Sequence, residues 1–330
     1  MPDKVTSADV ARRAGVSRSA VSRVFTPGAS ASKATMDKVK QAAAELGYRP
    51  NVLARGLLTG KSRIIGLVVA YLDNQFYPQA LELLCQTLQN RGYNTMIFMT
   101  SNAQQDVADA TRQILDHQVD GLVLASVSLN SDLARQCQMN GVPVVLFNRK
   151  QGDPGETAVV SDNYTGGRLA AEHLLKRAAT RIGHIAGWEG ASTQRDREAG
   201  FLAGLREAGM GLYAREVGDF NSDATRDAAL RMFRSPDRPD AVFVANDHMA
   251  MVVLETLRFE LGLKIPEDVA VVGFDDVPSA AWRSYDLTTI RQDTNAMVRE
   301  TVDRLLAMVD GEDGQGIVQT PVQLVVRSTA

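Results

Sequence analysis

The residues best suited to chemistry in this 330-residue chain stand directly behind short apolar runs. Asn148 and Arg149 follow VVLF, Asn246 and Asp247 follow VFVA, and Asp275 and Asp276 follow VVGF. Arg197 sits in the stretch Gln194-Arg195-Asp196-Arg197, and Phe76, Tyr77, Phe220 and Trp282 offer flat apolar rings. A guanidinium donates through a rigid fork, a carboxylate accepts at two oxygens, and an amide does both. Joined to an aromatic face, that set suits a polyhydroxylated small molecule: paired hydrogen bonds to neighbouring hydroxyls, and stacking on its C–H face. It does not suit catalysis. His117, His173, His184 and His248 keep no metal or acid–base spacing, and no nucleophile stands beside a base. His184, inside a strand run, reads as a satisfied core histidine. Asp275-Asp276 lacks the further carboxylates or His that a metal needs, and Gly166-Gly167 is no GxGxxG behind a strand. No catalytic residue, metal or cofactor is expected.

A second cluster opens the chain. Thr6-Ser7-Ala8-Asp9 has the form of a capping box, and the helix it starts ends at Gly15. Ser17 caps a second helix, RSAVSRVF, and Ser32 caps a third that stops at Gly47. Helix, tight turn, helix is the pattern whose second helix enters the DNA major groove, N-terminal end first. Arg18, Ser19, Ser22 and Arg23 lie on its outward side, whereas Val21, Val24 and Phe25 turn inward. Arg18, Arg23 and Ser19 are the base readers expected of it; Ser17, Ser22 and Lys33 meet phosphates, which position without specifying, and Thr6 is a further expected DNA contact.

The elements that must carry these two clusters differ in period and in charge. Residues 1–63 hold twelve Lys/Arg against four Asp/Glu, a net of +8; the rest hold 24 against 35, a net of −11. A basic segment with apolar residues at helical spacing, set against an acidic remainder, fits a polyanion partner. From residue 64 onward apolar β-branched runs alternate with helical stretches: Ile64–Val69, Thr95–Met99, Gly121–Leu124, Val144–Phe147, Ile182–Ala186, Ala241–Ala245 and Val269–Phe274, with helices such as Tyr77–Arg91, Tyr164–Arg177, Glu198–Ala208 and Met249–Leu261. Buried parallel strands between helices predict an α/β doubly wound core in two lobes, with the ligand beyond the strand C-termini. Between head and core, Arg49-Pro50-Asn51 restarts the chain into VLARGLL, a segment too short to hold a helix alone. The N-terminus has no apolar leader and no run approaches a membrane span, so a cytoplasmic protein is expected, nucleoid-associated when on DNA. Cys85 and Cys137, far from each other, read as reduced thiols.

The order VTSADVARRAGVSRSAVSRVF, SKAT, ELGYRPN, LARGL, IGLVV, VANDHMA, VVGFDD and LTTIRQ resembles the lactose/galactose repressor (LacI/GalR) family along essentially the whole chain. It departs from the family at Thr26-Pro27, where Asn is usual, and at Ala31. The resemblance implies a helix-turn-helix head (1–48), a hinge (49–62) and a core of periplasmic-binding-protein type (63–330), its lobes 63–161 with 292–320 and 162–291 with 321–330. It implies that Asn51, Ala54, Arg55 and Leu57 form a hinge helix in the minor groove, Leu57 acting as a wedge between base pairs. It implies further that Arg197, Asn246 and Asp275 bind a small effector (a sugar, polyol or sugar acid), with Asn148 and Phe220 lining the pocket and Gln292 where the chain crosses between lobes; Phe76 joins the expected effector-binding residues as an aromatic platform. The pocket departs from the lactose pattern at Asn148 and Phe220. A homodimer, or a dimer of dimers, on a pseudo-palindromic operator of about 14–20 base pairs follows, without the leucine heptads of a coiled-coil tail. Three rivals remain: an exported sugar-binding protein, an enzyme of doubly wound fold, and a nucleoid binder with a vestigial pocket.

Overall fold

A computed structural model describes residues 5–25, 29–49, 61–70, 72–100, 104–126, 136–137 and 139–330, excluding the side chains of 104 and 105. The chain divides into two compact units, 1–62 and 63–330.

In the first unit, α1 (Ser7–Ala14), α2 (Arg18–Val24) and α3 (Lys33–Leu46) enclose a small core of Val10, Ala11, Val21, Val39, Ala42 and Ala43. Each helix begins where a side chain meets its orphan amides. The Asp9 carboxylate accepts from the Thr6 amide at 2.9 Å and its hydroxyl at 2.7 Å. Ser17 and Ser32 accept from the Ala20 and Thr35 amides at 3.2 and 3.3 Å. Gly15 and Gly47, at φ 68° and 64°, end α1 and α3 in the left-handed region. An ion pair of 2.6 Å between Arg13 and Glu45 ties α1 to α3.

The second unit holds two six-stranded sheets. Lobe 1 contains β1 (Ile64–Val69), α4 (Phe76–Asn90), β2 (Asn94–Met99), α5 (Gln104–Asp116), β3 (Gly121–Ala125), β4 (Val144–Phe147) and β5 (Ala158–Ser161). Lobe 2 contains α6 (Asn163–Lys176), β6 (Ile182–Ala186), α7 (Ser192–Glu207), β7 (Ala214–Val217), α8 (Ser222–Phe233), β8 (Ala241–Val244), α9 (Asp247–Glu255), a π-helical turn (Thr256–Glu260), β9 (Ala270–Asp275) and β10 (Thr288–Gln292). The chain then returns as α10 (Thr294–Val309), which packs on α4 and on strands of lobe 1, adds β11 (Ile317–Thr320) there, and crosses again to β12 (Val322–Val325). The strand orders are β11-β5-β4-β3-β1-β2 and β12-β10-β9-β8-β6-β7. All pairings are parallel except β10 with β12. β1, β3, β6 and β8 are buried on both faces, as strands between helix layers must be.

One expectation needs adjustment. The helix carrying Arg197 starts at Ser192, six residues earlier than its apolar period shows, because Ala191 precedes it without a side-chain cap. The C-terminal stretch forms two strands in two lobes, and Thr329 then folds back into lobe 2, donating its hydroxyl to Val271 O at 2.8 Å.

Candidate functional site

The cleft lies beyond the C-terminal ends of the strands of both lobes and is lined by Asn74, Tyr77, Asn148, Arg149, Thr193, Arg197, Phe220, Asn246 and Asp275. Its deepest feature is Arg197. α6 and α7 cross at glycines: a Cβ on Gly167 would lie 2.0 Å from Arg197 O, and one on Gly200 would lie 1.9 Å from Tyr164 O. Only that backbone approach sets the Arg197 side chain against Asn163 and the end of β8. There Nε donates to Asn163 Oδ1 (2.8 Å), Nη1 to Ala245 O (2.7 Å) and Nη2 to Asp275 Oδ1 (3.3 Å). The guanidinium also lies over the Phe274 ring at 3.6 Å. Arg197 is 2% and Asp275 5% exposed, so each charge depends on its partners.

Burial pushes the Asp275 carboxyl up, against the opposing pull of Arg197, Gln292 and Asn74. Gln292 donates to the same oxygen at 2.7 Å and meets Ser161 through a 2.6 Å bond, joining two of the strands that cross between lobes. Asp247 lies behind it, fully buried, accepting from Thr289 Oγ1 (2.5 Å) and Val277 N (3.0 Å). Burial and the neighbouring Asp275 raise its carboxyl too. Asp276 is committed elsewhere, to Arg291 and Arg327, each at 2.6 Å. Asn246 caps α9 by accepting from Met249 N at 3.0 Å, which turns its amide nitrogen into the end left for a ligand.

Lobe 1 brings Asn148 from the end of β4 and Tyr77 from the first turn of α4. Asn148 Nδ2 donates to Tyr77 Oη at 2.9 Å. Arg149 Nη1 donates to Ser126 O at 2.7 Å, and its guanidinium lies 5.5 Å from the Trp188 ring and 5.9 Å from that of Phe220. Three cleft residues, Asn148 (φ 70°), Phe220 (56°) and Asp275 (132°), hold conformations that L-residues rarely adopt. Such strain collects where geometry serves a ligand. The lobes also touch at the rim: Lys150 Nζ meets Asp196 at 2.9 Å, Lys150 N donates to Ser192 Oγ at 3.0 Å, and Ser279 donates to Gln75 at 2.6 Å.

The structure thus gathers Asn148, Arg197, Phe220, Asn246 and Asp275 on one cleft. It does not place Phe76 or Gln292 there. Phe76, 1% exposed, stacks on Phe147 at 6.2 Å inside the core, because one residue along a helix turns the side chain by about 100° and gives the cleft to Tyr77 instead. Gln292 stands behind Asp275. Trp282 is 57% exposed and not among the lining residues. Asn74, Thr193 and Trp188 escaped the sequence reading. Asn74 sits ahead of α4 and accepts from Phe76 N at 3.1 Å, a helix-start signal that does point to it. His184 accepts the core role: Nδ1 lies 2.9 Å from Phe243 O and Nε2 3.2 Å from Gln194, with burial depressing its basicity to about 4.

In the head, Thr6, Ser17, Arg18, Ser19, Ser22, Arg23 and Lys33 are all exposed. Ser17 and Ser19 hydroxyls meet at 2.9 Å and Arg23 Nε donates to Ser19 O at 3.4 Å, so the outward face of α2 is partly organised by its own side chains. Asn51, Ala54, Arg55 and Leu57 lie outside the described residues.

Residues 6–51 match the family profile of bacterial regulatory proteins, lacI family, and residues 171–330 match that of a periplasmic binding protein-like domain. The HTH-type transcriptional repressor PurR of Vibrio vulnificus is 30% identical over 328 residues, 98% of both chains. The ribose operon repressor of Escherichia coli is 33% identical over 305 residues, 91% of this chain and 92% of that one. The chain belongs to the lacI family of bacterial regulatory proteins. A structure of the lac repressor dimer bound to operator and the anti-inducer ONPF matches this lacI-family chain with a TM-score of 0.90 at 29% identity, covering 99% of each. The relatives are transcriptional repressors, and this member of the family is a transcription regulator rather than an enzyme. Among the described residues no helix is long and apolar enough to cross a membrane.

Proposed function

We propose that this regulator is a homodimeric repressor whose hold on a pseudo-palindromic operator is set by a sugar or sugar derivative in the core cleft. Arg18, Ser19 and Arg23 read base edges; Thr6, Ser17, Ser22 and Lys33 meet phosphates; Asn51, Ala54, Arg55 and Leu57 act in the minor groove. Arg197, Asp275, Asn246, Asn148 and Phe220 contact the effector with Tyr77, Asn74, Arg149 and Thr193, while Phe76 and Gln292 support them from behind. The protein works in the cytoplasm and joins the nucleoid when bound to its operator.

The carrying observation is the cleft itself: buried fork donors, a carboxylate, amides and an aromatic face, assembled in a chain that also bears an exposed, capped recognition helix. The ribose operon repressor among the relatives makes a sugar the leading chemistry. An effector that prefers closed lobes changes operator affinity by the ratio of its affinities for the two states, and no more. The test is fluorescence anisotropy of labelled DNA from the chain's own upstream region, titrated with protein and then with sugars, polyols and sugar acids. One compound that shifts the affinity supports the reading; specific binding that no compound shifts removes the effector half, and absence of specific binding removes the operator half.

A further inference from the structure

Lobe 2 buries a chain of polar groups that the effector contacts do not use. His184 on β6 and Gln194 in the first turn of α7 are both fully buried. His184 Nδ1 lies 2.9 Å from Phe243 O, and a carbonyl only accepts, so this nitrogen carries the ring proton. Gly187 N lies 2.7 Å from Gln194 Oε1, and a backbone N–H only donates, so the amide cannot turn over. Its NH2 group donates to Glu198 Oε2 at 2.9 Å and to His184 Nε2 at 3.2 Å, where the ring presents a lone pair. Arg215 in turn donates to both Glu198 oxygens, at 2.6 and 3.0 Å. Each orientation is thus fixed by a partner that can play one role only. The charged groups around the ring are Glu198, reached through Gln194, and Arg215, its register partner on β7; Phe201 and Phe243 cover it.

The chain of bonds ends at Gly187, and Gly187 is the seat of an aromatic wall. A Cβ there would stand 2.2 Å from Phe220 Cε1, so the Phe220 ring lies directly on the Gly187 backbone. Phe220 lines the cleft at φ 56°, a conformation that its surroundings must hold. Trp188 follows Gly187, and its ring shares the Arg149 guanidinium with Phe220. Resting on the reading of the cleft as the effector site, we propose that His184 and Gln194 are positioning residues that anchor the Gly187 peptide and thereby set the Phe220 and Trp188 rings. The anchor requires a neutral His184: a proton on Nε2 would face the Gln194 NH2 donor to donor. Burial among apolar rings keeps the ring neutral.

The test uses the full-length protein. Nitrogen-15 NMR of the wild type should find His184 neutral at pH 7 with its proton on Nδ1; a proton on Nε2 overturns the proposal. Gln194→Leu keeps the bulk and removes the bonds. Exchange of the Gly187 amide should quicken about 10-fold, roughly the worth of one hydrogen bond. The chain has two tryptophans, so in a Trp282→Phe background the emission reports Trp188 alone. In Gln194→Leu that emission should shift and acrylamide should quench it more readily. His184→Phe, packed between the same two rings, repeats the measurement with the other partner removed. Variants that lose stability while Gly187 exchange and Trp188 emission match the wild type overturn the proposal, because the pair then only fills the core. Calorimetry with D-ribose, D-xylose, D-glucose and D-galactose reads the cleft itself. A sugar that binds the wild type should bind Gln194→Leu severalfold more weakly, with DNA affinity kept; equal affinity overturns the proposal. If none of the four binds, the sugar reading of the cleft fails separately, and the tautomer and Trp188 still decide whether the pair sets the wall.

Discussion

The two lobes repeat one strand order and yet treat their polar groups differently. Around the cleft, lobe 2 satisfies most of its charges internally: Arg197 serves Asn163, Ala245 and Asp275, Asp247 is held by Thr289 and Val277, and Asp276 by Arg291 and Arg327. Lobe 1 leaves Asn148 Oδ1 open. The two also differ in how they end, since β11 joins its sheet parallel and β12 joins antiparallel. The lesson is a division of labour. A prewired lobe 2 holds the shape of the cleft at the cost of strained backbone at Asp275, and lobe 1 keeps hydrogen-bonding capacity for the ligand.

The strongest way to break this contrast is Arg197→Ala. It strands a buried carboxylate, so unfolding of the core should become easier by about 3–5 kcal/mol, with the effector response lost. Asn148→Ala, the lobe 1 counterpart, should cut effector affinity and cost only about 1–2 kcal/mol in chemical denaturation, since Ala tolerates the positive φ less well than Asn and Tyr77 loses a partner. Equal destabilisation by the two would erase the distinction. Next comes Gly200→Ala: its Cβ meets a carbonyl rather than a pliable side chain. It should cost about 1–3 kcal/mol in denaturant titrations and loosen effector binding by displacing Arg197.

The core should also depend on pH. Burial lifts the folded Asp247 and Asp275 carboxyls above their ordinary value, and the nearness of Asp275 lifts Asp247 further. A raised acid binds its proton more tightly when folded, so its stabilisation is complete below the unfolded pKa near 3.9 and is lost as pH climbs through the folded values. Unfolding followed from pH 4 to pH 8 should therefore show declining stability from these groups, and Asp247→Asn should flatten the decline; an unchanged slope would remove Asp247 as its source. The smallest effect belongs to the rim. Lys150→Met breaks a partly exposed contact between lobes, worth below about 1 kcal/mol, and should move the effector midpoint by a fewfold without touching selectivity.

Much of this was legible in the residues. The rule that ligands sit behind parallel strand ends finds Asn148, Asn246 and Asp275 without coordinates, since each directly follows or closes an apolar run. The caps at Ser17 and Ser32 set the head helices just as plainly. Phe76 and Tyr77 could not be separated, because the phase of a helix at its first turn is ambiguous from sequence. The strands 158–161 and 214–217 are too short, and the second too exposed, to announce themselves by apolar pattern. Gly167 and Gly200 carry no local signal at all: their reason is a helix crossing visible only in three dimensions.

The most direct test of the central claim is operator affinity with and without the effector, compared between wild type and Arg197→Ala. The wild type should change its affinity on adding the effector, while Arg197→Ala, folded at low temperature, should bind the same DNA and ignore it. A variant that still responds fully would show that the effector acts elsewhere than in this cleft.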